Sequence, residues 1–453
     1  MVEVNKNTHK KQIIFLIFTA IFVMGSCVFA QDSTTDSPSP DEENQALKPL
    51  HESIMETIRN DLPFEVHGFI EARGGIRTQD DGTVRKTASL GETRLQMDID
   101  WDLYPFYLKL KSDFLWDAVE KDAKPDLREA NFLVSPLSFI DLKVGRQILT
   151  WGTGDLLFIN DLFPKDWVSF FIGRDVEYLK APSDAIKASI FRDFFNIDVV
   201  YTPRFDPDRY IKGKKISYWS DMLDRKAGED DHPEIDEPDR WFRDDEVALR
   251  LYRNISGYET ALYFYDGYWK SPGGADADGE GIFPKLSVYG ASVRGNLFKG
   301  IGNLEGGYYD SRDDDTGSDP FVRNGEMRFL AGYEQEVARN FTAGLQYYVE
   351  FMMDYDEYRQ TVPEFSDAKD EDRHVLTLRL TRLLMNQNLK LSLFTFYCPT
   401  DSDAYFRPKI HYKFTDKWEG EIGGNVFLGK DDHSFFGQFE ENTNVYVALR
   451  WNF

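Results

Sequence analysis

The stretch Asn444-Val445-Tyr446-Val447-Ala448-Leu449-Arg450-Trp451-Asn452-Phe453 decides the fold. On an extended chain successive side chains point to opposite sides. Val445, Val447, Leu449, Trp451 and Phe453 therefore share one face, and Asn444, Tyr446, Ala448, Arg450 and Asn452 the other. One face suits hydrocarbon and the other suits water. The same two-residue period sets Leu95, Met97, Ile99 and Trp101 against Arg94, Gln96, Asp98 and Asp100. It recurs where Phe341, Ala343, Leu345, Tyr347, Val349 and Phe351 oppose Thr342, Gly344, Gln346, Tyr348 and Glu350. From Pro63 to the last residue, segments of about ten residues with this alternation repeat, separated by turn chemistry.

The connections discriminate further. Tight turns such as Tyr104-Pro105, Ser256-Gly257 and residues 338–340 alternate strictly with longer polar loops, among them residues 119–126, 150–183, 203–240 and 399–403. Counting segments predicts an all-β fold, a transmembrane antiparallel up-and-down barrel of about eighteen strands, with sixteen as the alternative count. Long loops then face outward, short turns face the periplasm, and an even strand count returns both termini to the periplasmic side. Aromatic residues near strand ends, including Trp101, Trp116, Trp151, Trp167, Trp269, Trp418 and Trp451, suit interfacial girdles. After residue 30 no run approaches 18 consecutive apolar residues, so no helical span is expected.

Residues 1–30 read as a signal peptide: Lys6, Lys10 and Lys11 precede an apolar run from Ile13 to Met24, and Val28-Phe29-Ala30 suits cleavage after Ala30. The rival outcome is lipidation of Cys27, since Met24-Gly25-Ser26-Cys27 resembles a lipobox with Met where Leu is usual. Residues 31–62 are rich in Ser, Pro, Asp and Glu and read as a periplasmic linker, with a short amphipathic helix over residues 45–62.

Aromatic residues are 15% of the chain, which excludes disorder throughout. The 53 Lys and Arg against 78 Asp and Glu leave a net charge of −25, so no nucleic-acid partner is expected. With Cys27 in the leader and Cys398 alone after it, neither a disulfide framework nor a cysteine zinc site can be built. Neither a metal nor a cofactor is assigned.

The terminal segment Val445 to Phe453 resembles the C-terminal strand by which bacterial outer-membrane proteins are recognised for barrel assembly. The resemblance implies the outer membrane of a Gram-negative bacterium, lipid and lipopolysaccharide around a barrel over residues 63–453, and the assembly machinery as a partner of the Phe453 strand. Gly145-Arg146-Gln147, followed by Trp151-Gly152 and a loop holding Asn160-Asp161, is similar to the G-R-Q strand and loop of alginate-export-type barrels, which also have eighteen strands. The basic lumen of that family has no clear counterpart here.

Assigning polar strand faces to the lumen predicts a pore lining that includes Arg94, Asp98, Arg250, Arg294, Arg328, Arg379, Arg407, Lys409, His411, Lys413, Glu419 and Glu421. Such residues either orient a hydrated solute in their field or pair across strands to hold a polar interior. The segment from Gly145 to Asp175 is too apolar for a surface loop, which predicts an inward constriction with Trp151, Asn160, Asp161 and Trp167 as its candidate residues. Arg146 falls in the lipid-facing phase. Either a bulge at Gly145 switches that phase, or Arg146 sits at the outer interface. The acidic runs near Asp230 and Asp313 are either solvated loop tips or cation-bridging sites, and no loop has EF-hand spacing. No nucleophile elbow, P-loop or H-E-x-x-H motif appears, so no enzyme is expected. The function expected is a porin passing small hydrophilic, anionic-leaning solutes by diffusion. An anionic-polysaccharide export conduit and an adhesion barrel with acidic loops are the alternatives, and homo-oligomerisation is open.

Overall fold

Every backbone N–H and C=O inside hydrocarbon needs a partner within the protein, and a sheet closed on itself supplies one for each strand without leaving an edge. The computed structural model, which describes residues 64–220, 223–231, 233–276, 279–363 and 368–453, contains such a sheet of eighteen strands. In chain order these are β1 (Glu65–Arg77), β2 (Ala88–Leu103), β3 (Phe106–Asp117), β4 (Asp122–Leu137), β5 (Ile140–Ile148), β6 (Pro182–Phe191), β7 (Asn196–Thr202), β8 (Glu246–Ile255) and β9 (Tyr258–Tyr268). They continue as β10 (Lys285–Leu297), β11 (Gly300–Ser311), β12 (Glu326–Ala338), β13 (Phe341–Met352), β14 (Asp372–Leu384), β15 (Leu389–Cys398), β16 (Asp403–Lys413), β17 (Trp418–Leu428) and β18 (Asn444–Asn452). Each pairs antiparallel with the next, and β1 pairs with β18 from Phe69↔Asn452 to Arg77↔Asn444, which closes the barrel. The observed count is the eighteen expected from the turn pattern. The signal peptide, the linker and its short helix lie outside the described residues.

Burial follows the two-residue period. On β18 Val445, Val447 and Leu449 are exposed, Val447 at 55%, while Tyr446 is buried and Arg450 reaches inward to Glu71. The buried apolar cluster lies inside the barrel and gathers residues from the inner strand faces and from the connection between β5 and β6. One register slip serves that cluster. Between Lys111 and Ser112 of β3 the ladder skips Arg128 of β4, and the bulged Arg128, 1% exposed, turns inward to the carbonyls of Glu177 and Lys180.

Two expectations need correction and one open alternative is decided. The alternation of long and short connections is not strict, because residues 118–121 and 399–402 are four-residue turns on the long-loop side. Trp151, Trp167 and Trp269 are internal rather than girdle residues. Trp167 donates its indole N–H to Asp208 at 2.9 Å and Trp269 to Ser311 at 3.2 Å, partners that a lipid-facing indole would lack. The phase switch at Gly145 does not occur, although Gly145 has φ 119, since β5 keeps register with both neighbours through that residue. Arg146 stays on the outer face near the loop end and forms a two-bond ion pair with Asp184, its cross-strand partner on β6, at 2.8 Å.

Candidate functional site

The connection of residues 149–181 between β5 and β6 folds into the barrel because its apolar residues have nowhere else to be buried. Its only α-helix, α1 (Trp167–Ile172), starts at Asp166, whose carboxylate accepts the Ser169 N–H at 2.7 Å, and stops at Gly173 in the left-handed region. A side chain at Gly173 would also meet the Tyr446 ring at 2.5 Å, so glycine is required on two counts. Phe170 and Phe171 pack on the inward rings of β15 to β17: Phe170 against Tyr405 at 5.7 Å and Phe171 against Phe427 at 5.7 Å. Ile159 is fully buried, and the Tyr309 hydroxyl donates to its carbonyl.

Polar groups of the wall hold the segment at both ends. Glu305 on β11 accepts five hydrogen bonds from it: one oxygen takes the Thr153 N–H, the Thr153 hydroxyl and the Gly154 N–H, and the other takes the backbone and side-chain N–H of Asn160 at 2.8 and 3.0 Å. Gly152, at φ 78, permits this approach, since a Cβ there would lie 2.8 Å from the Glu305 carboxylate. Gln346 accepts the Asp155 N–H at 2.7 Å and donates to the Asp155 carbonyl at 2.9 Å. Arg379 grips the Asp155 carboxylate with two nitrogens. At the other end Arg174 pairs with Glu92 at 2.6 Å, and Asp175 meets both Arg450 at 2.7 Å and Lys409 at 3.2 Å. The Tyr178 ring meets the guanidinium groups of Arg94 at 3.9 Å and of Arg128 at 4.6 Å. Burial alone would raise the Asp175 carboxyl, but Lys409 and then Arg450 and Arg73 hold it well below the usual carboxylate range.

All twelve candidate lining residues fall on inward strand positions, yet most are committed to partners. Arg94 pairs with Asp113, Asp98 with Lys109 at 3.0 Å, Arg250 with Glu259 at 2.5 Å and Arg328 with Glu326 at 2.5 Å. Arg379 is taken by Asp155, Lys409 by Glu421 at 2.9 Å, and His411 by Glu419 at 3.2 Å. Glu421 also meets Arg73, and Glu419 meets Arg450. Arg407 lies over the Phe170 ring at 4.1 Å. Arg294 and Lys413 are exposed near the short-turn end, without a carboxylate at ion-pair distance among the described residues. The four basic residues of β16 therefore do not act as one ladder: two of them face carboxylates, one an aromatic ring and one water.

The constriction candidates all lie in the inserted segment, each held by its own partner. Trp151 packs on Phe163 at 4.9 Å, and Asn160 is held by Glu305. Asp161 accepts from Thr150 at 2.8 Å and Lys165 at 3.0 Å, and Trp167 from the helix is fixed by Asp208. Sequence reasoning missed Glu305, Gln346, Asp175 and Glu92. For Glu305 a signal existed: it is an inward-phase acid in a strand containing Gly300, Gly302, Gly306 and Gly307, where small neighbours leave room for another chain segment. Above the segment lies a cavity of about 1220 Å³ bounded by the long loops and lined in part by Leu156, Trp167, Trp269, Phe321, Arg323 and Phe435. The acidic runs are tied into loops: Asp231 pairs with Arg225 at 2.8 Å, and Asp314 accepts the N–H groups of Thr316 and Asp319.

No protein-family model and no curated protein matches the chain. Among solved structures it is similar to OccAB4 of Acinetobacter baumannii, at 10% identity and a TM-score of 0.54, covering 87% of this chain and 99% of that one. It is also similar to OccAB3 of the same organism, at 9% identity and a TM-score of 0.53, covering 86% and 99%. Similarity to OccK5 (OpdH) of Pseudomonas aeruginosa has 9% identity and a TM-score of 0.51, covering 86% and 98%. At such identities the likeness is one of fold. Together with the closed antiparallel sheet, it gives this chain the fold of an outer-membrane porin-like β-barrel.

Proposed function

We propose that the barrel sits in the outer membrane and passes small hydrophilic solutes by diffusion through a lumen constricted by residues 149–181. The observation that carries this reading is the attachment of that segment to separate parts of the inner wall, through Glu305, Gln346 and Arg379 at one end and Glu92, Lys409 and Arg450 at the other. A segment fixed in that way sets the width of any path past it. The short turns, the start of β1 and the end of β18 face the periplasm in this reading. The terminal strand, whose Phe453 N–H donates to the Gly68 carbonyl at 3.0 Å, serves as the assembly signal.

A weak preference for anions goes with it. Most lumen charges cancel in pairs; of the rest, Lys390, Arg294, Lys413 and Arg407 have no carboxylate, and Glu305 and Glu334 no cation, at ion-pair distance among the described residues, so the preference is small. Single-channel recording in planar bilayers tests both parts. Deleting residues 156–171 is expected to raise conductance several-fold, and unchanged conductance removes the constriction. Replacing Arg407, Lys409 and Lys413 with Ala is expected to weaken the anion preference. A strong cation preference untouched by those substitutions overturns the charge reading.

A further inference from the structure

The turn of residues 399–402, which joins β15 to β16, carries an arrangement that the channel does not use. Cys398 closes β15 and Asp403 opens β16, and the two are cross-strand partners. Asp401 lies in the turn between them. One donor atom from each of the three lies within 4.8 Å of the other two. Cys398 is fully buried and Asp403 is 1% exposed, while Asp401 is open on one side.

The polar bonds of this cluster do not close. One oxygen of Asp403 accepts the Phe436 N–H at 2.6 Å, but its other oxygen, Oδ1, is buried with no hydrogen-bond partner. No nearby donor reaches it within hydrogen-bond distance, and Nη2 of Arg373 beside it is likewise buried without a partner. Arg373 donates to Asp401 at 2.8 Å, the Cys398 thiol approaches that same Asp401 oxygen at 3.2 Å, and the Ser434 hydroxyl donates to the Asp431 carbonyl at 2.9 Å. A carboxylate oxygen withdrawn from water without a partner is costly, and a cation beside it removes the cost.

We propose that Cys398, Asp401 and Asp403 form a binding site for a divalent cation of the zinc class. The donor set decides the class: a thiolate with two carboxylates suits zinc and similar borderline ions, whereas calcium and magnesium take oxygen donors. Charge agrees with the choice. Two carboxylates and a thiolate carry three negative charges, and Arg373 with a divalent ion carries three positive ones. As the sulfur–metal bond forms, the S–H bond breaks and its proton passes to bulk water, with no change of oxidation state. From ordinary zinc–sulfur and zinc–oxygen bond lengths, donors around a tetrahedral ion stand about 3.6 Å apart, so binding draws the cluster in by about 1 Å. The half-open Asp401 and the short turn absorb that movement, and water takes the fourth position. Counting cysteines excludes a site built from several thiolates; it does not reach one that mixes a thiolate with carboxylates.

Cobalt(II) added to the full chain, folded in detergent, is the probe. The expected result is one equivalent bound with a thiolate-to-cobalt charge-transfer band, displaced by zinc. Cys398→Ser is expected to abolish the band, and Asp403→Asn and Asp401→Asn each to weaken binding at least tenfold, with heat-modifiable gel migration unchanged in the folded variants. Asp401→Asn, at the open side of the cluster, keeps the test decisive if either buried variant fails to fold. No charge-transfer band at stoichiometric cobalt, a band that persists in Cys398→Ser, or unaltered affinity in the aspartate variants overturns the site.

Discussion

Two long connections leave the same end of the barrel in succession, residues 149–181 and 203–245, and they end up in different places. The first is buried or half-buried along most of its length; the second docks its early part at the mouth, where Lys215 pairs with Glu92 at 2.7 Å, and then runs outside, with Phe242 at 70% exposure. Their charges explain the difference as much as their apolar content does. In the first, Asp155, Arg174 and Asp175 find counter-charges on the barrel wall. In the outer part of the second, charges pair within the loop, as Arg225 does with Asp231 and Arg240 with Asp244, or with neighbouring loops, as Asp230 does with Arg85 and Lys226 with Asp432. An apolar loop is drawn inward by burial, but only wall partners let it bring charge along without leaving that charge unpaired.

The strongest way to break this contrast is to remove the wall partner. Glu305→Ala leaves five donors of the inserted segment without their acceptor. Hydrogen bonds to a charged group are worth about 1.5–3 kcal/mol each and are not additive, so the local opening free energy of residues 150–162 is expected to fall by about 4 kcal/mol. Hydrogen exchange of that segment measures it, and open-channel current noise is expected to rise with it. Exchange as slow as in the unaltered chain would show that apolar packing alone holds the segment.

Acidity is expected to act on the two connections in opposite directions. Burial pushes the Asp206 carboxyl at the start of the second connection up to about 6, opposed by the hydrogen bond it accepts from the Asp184 N–H and by Lys270, and helped by the charges of Glu246 and Asp184. A carboxyl raised on folding stabilises the protonated state, so its contribution is full below the unfolded value near 4 and is lost as pH rises through about 6. The loss amounts to about 3 kcal/mol at most. Asp175 has the opposite sign: its contribution is present above the unfolded value and is lost only as pH falls below it. Hydrogen exchange corrected for intrinsic rates should therefore show residues 203–210 loosening between about pH 4 and 7 while the inserted segment stays constant. Asp206→Asn should flatten the first profile without touching the second. Equal slopes for the two segments would sink the distinction.

The smallest effect is expected outside. Arg85 and Asp230 form an ion pair in which both side chains are 74% exposed. Exposed pairs contribute less than about 1 kcal/mol, so Arg85→Ala should leave the unfolding midpoint of the barrel within error. A large drop would mean that the outer part of the second connection supports the barrel more than its exposure suggests.

The barrel itself was legible in the chain. The two-residue period is local, and once lipid lies on one side, the side on which each residue of β18 must point follows from its neighbours. For the same reason the inward phase of the twelve candidate residues could be read, and the strand number could be counted. The inward course of residues 149–181 was also readable, because ten or so large apolar side chains cannot remain at an outer surface.

What the pattern could not contain was the partnership of residues far apart in the chain. Asn160 meets Glu305 across 145 positions and Asp155 meets Arg379 across 224, and no periodicity links them. The curvature of the closed sheet brings them together. That is why the sequence left Arg379, Lys409 and Glu421 open between acting on a solute and pairing, which the structure decides for pairing, and why Trp269 reads as a girdle residue while lying inside. Which way a side chain faces is settled by the period of its own strand. Whether its charge is free to act on a solute depends on what the opposite wall and the inserted segment place beside it, and that is decided only when the barrel closes around that segment.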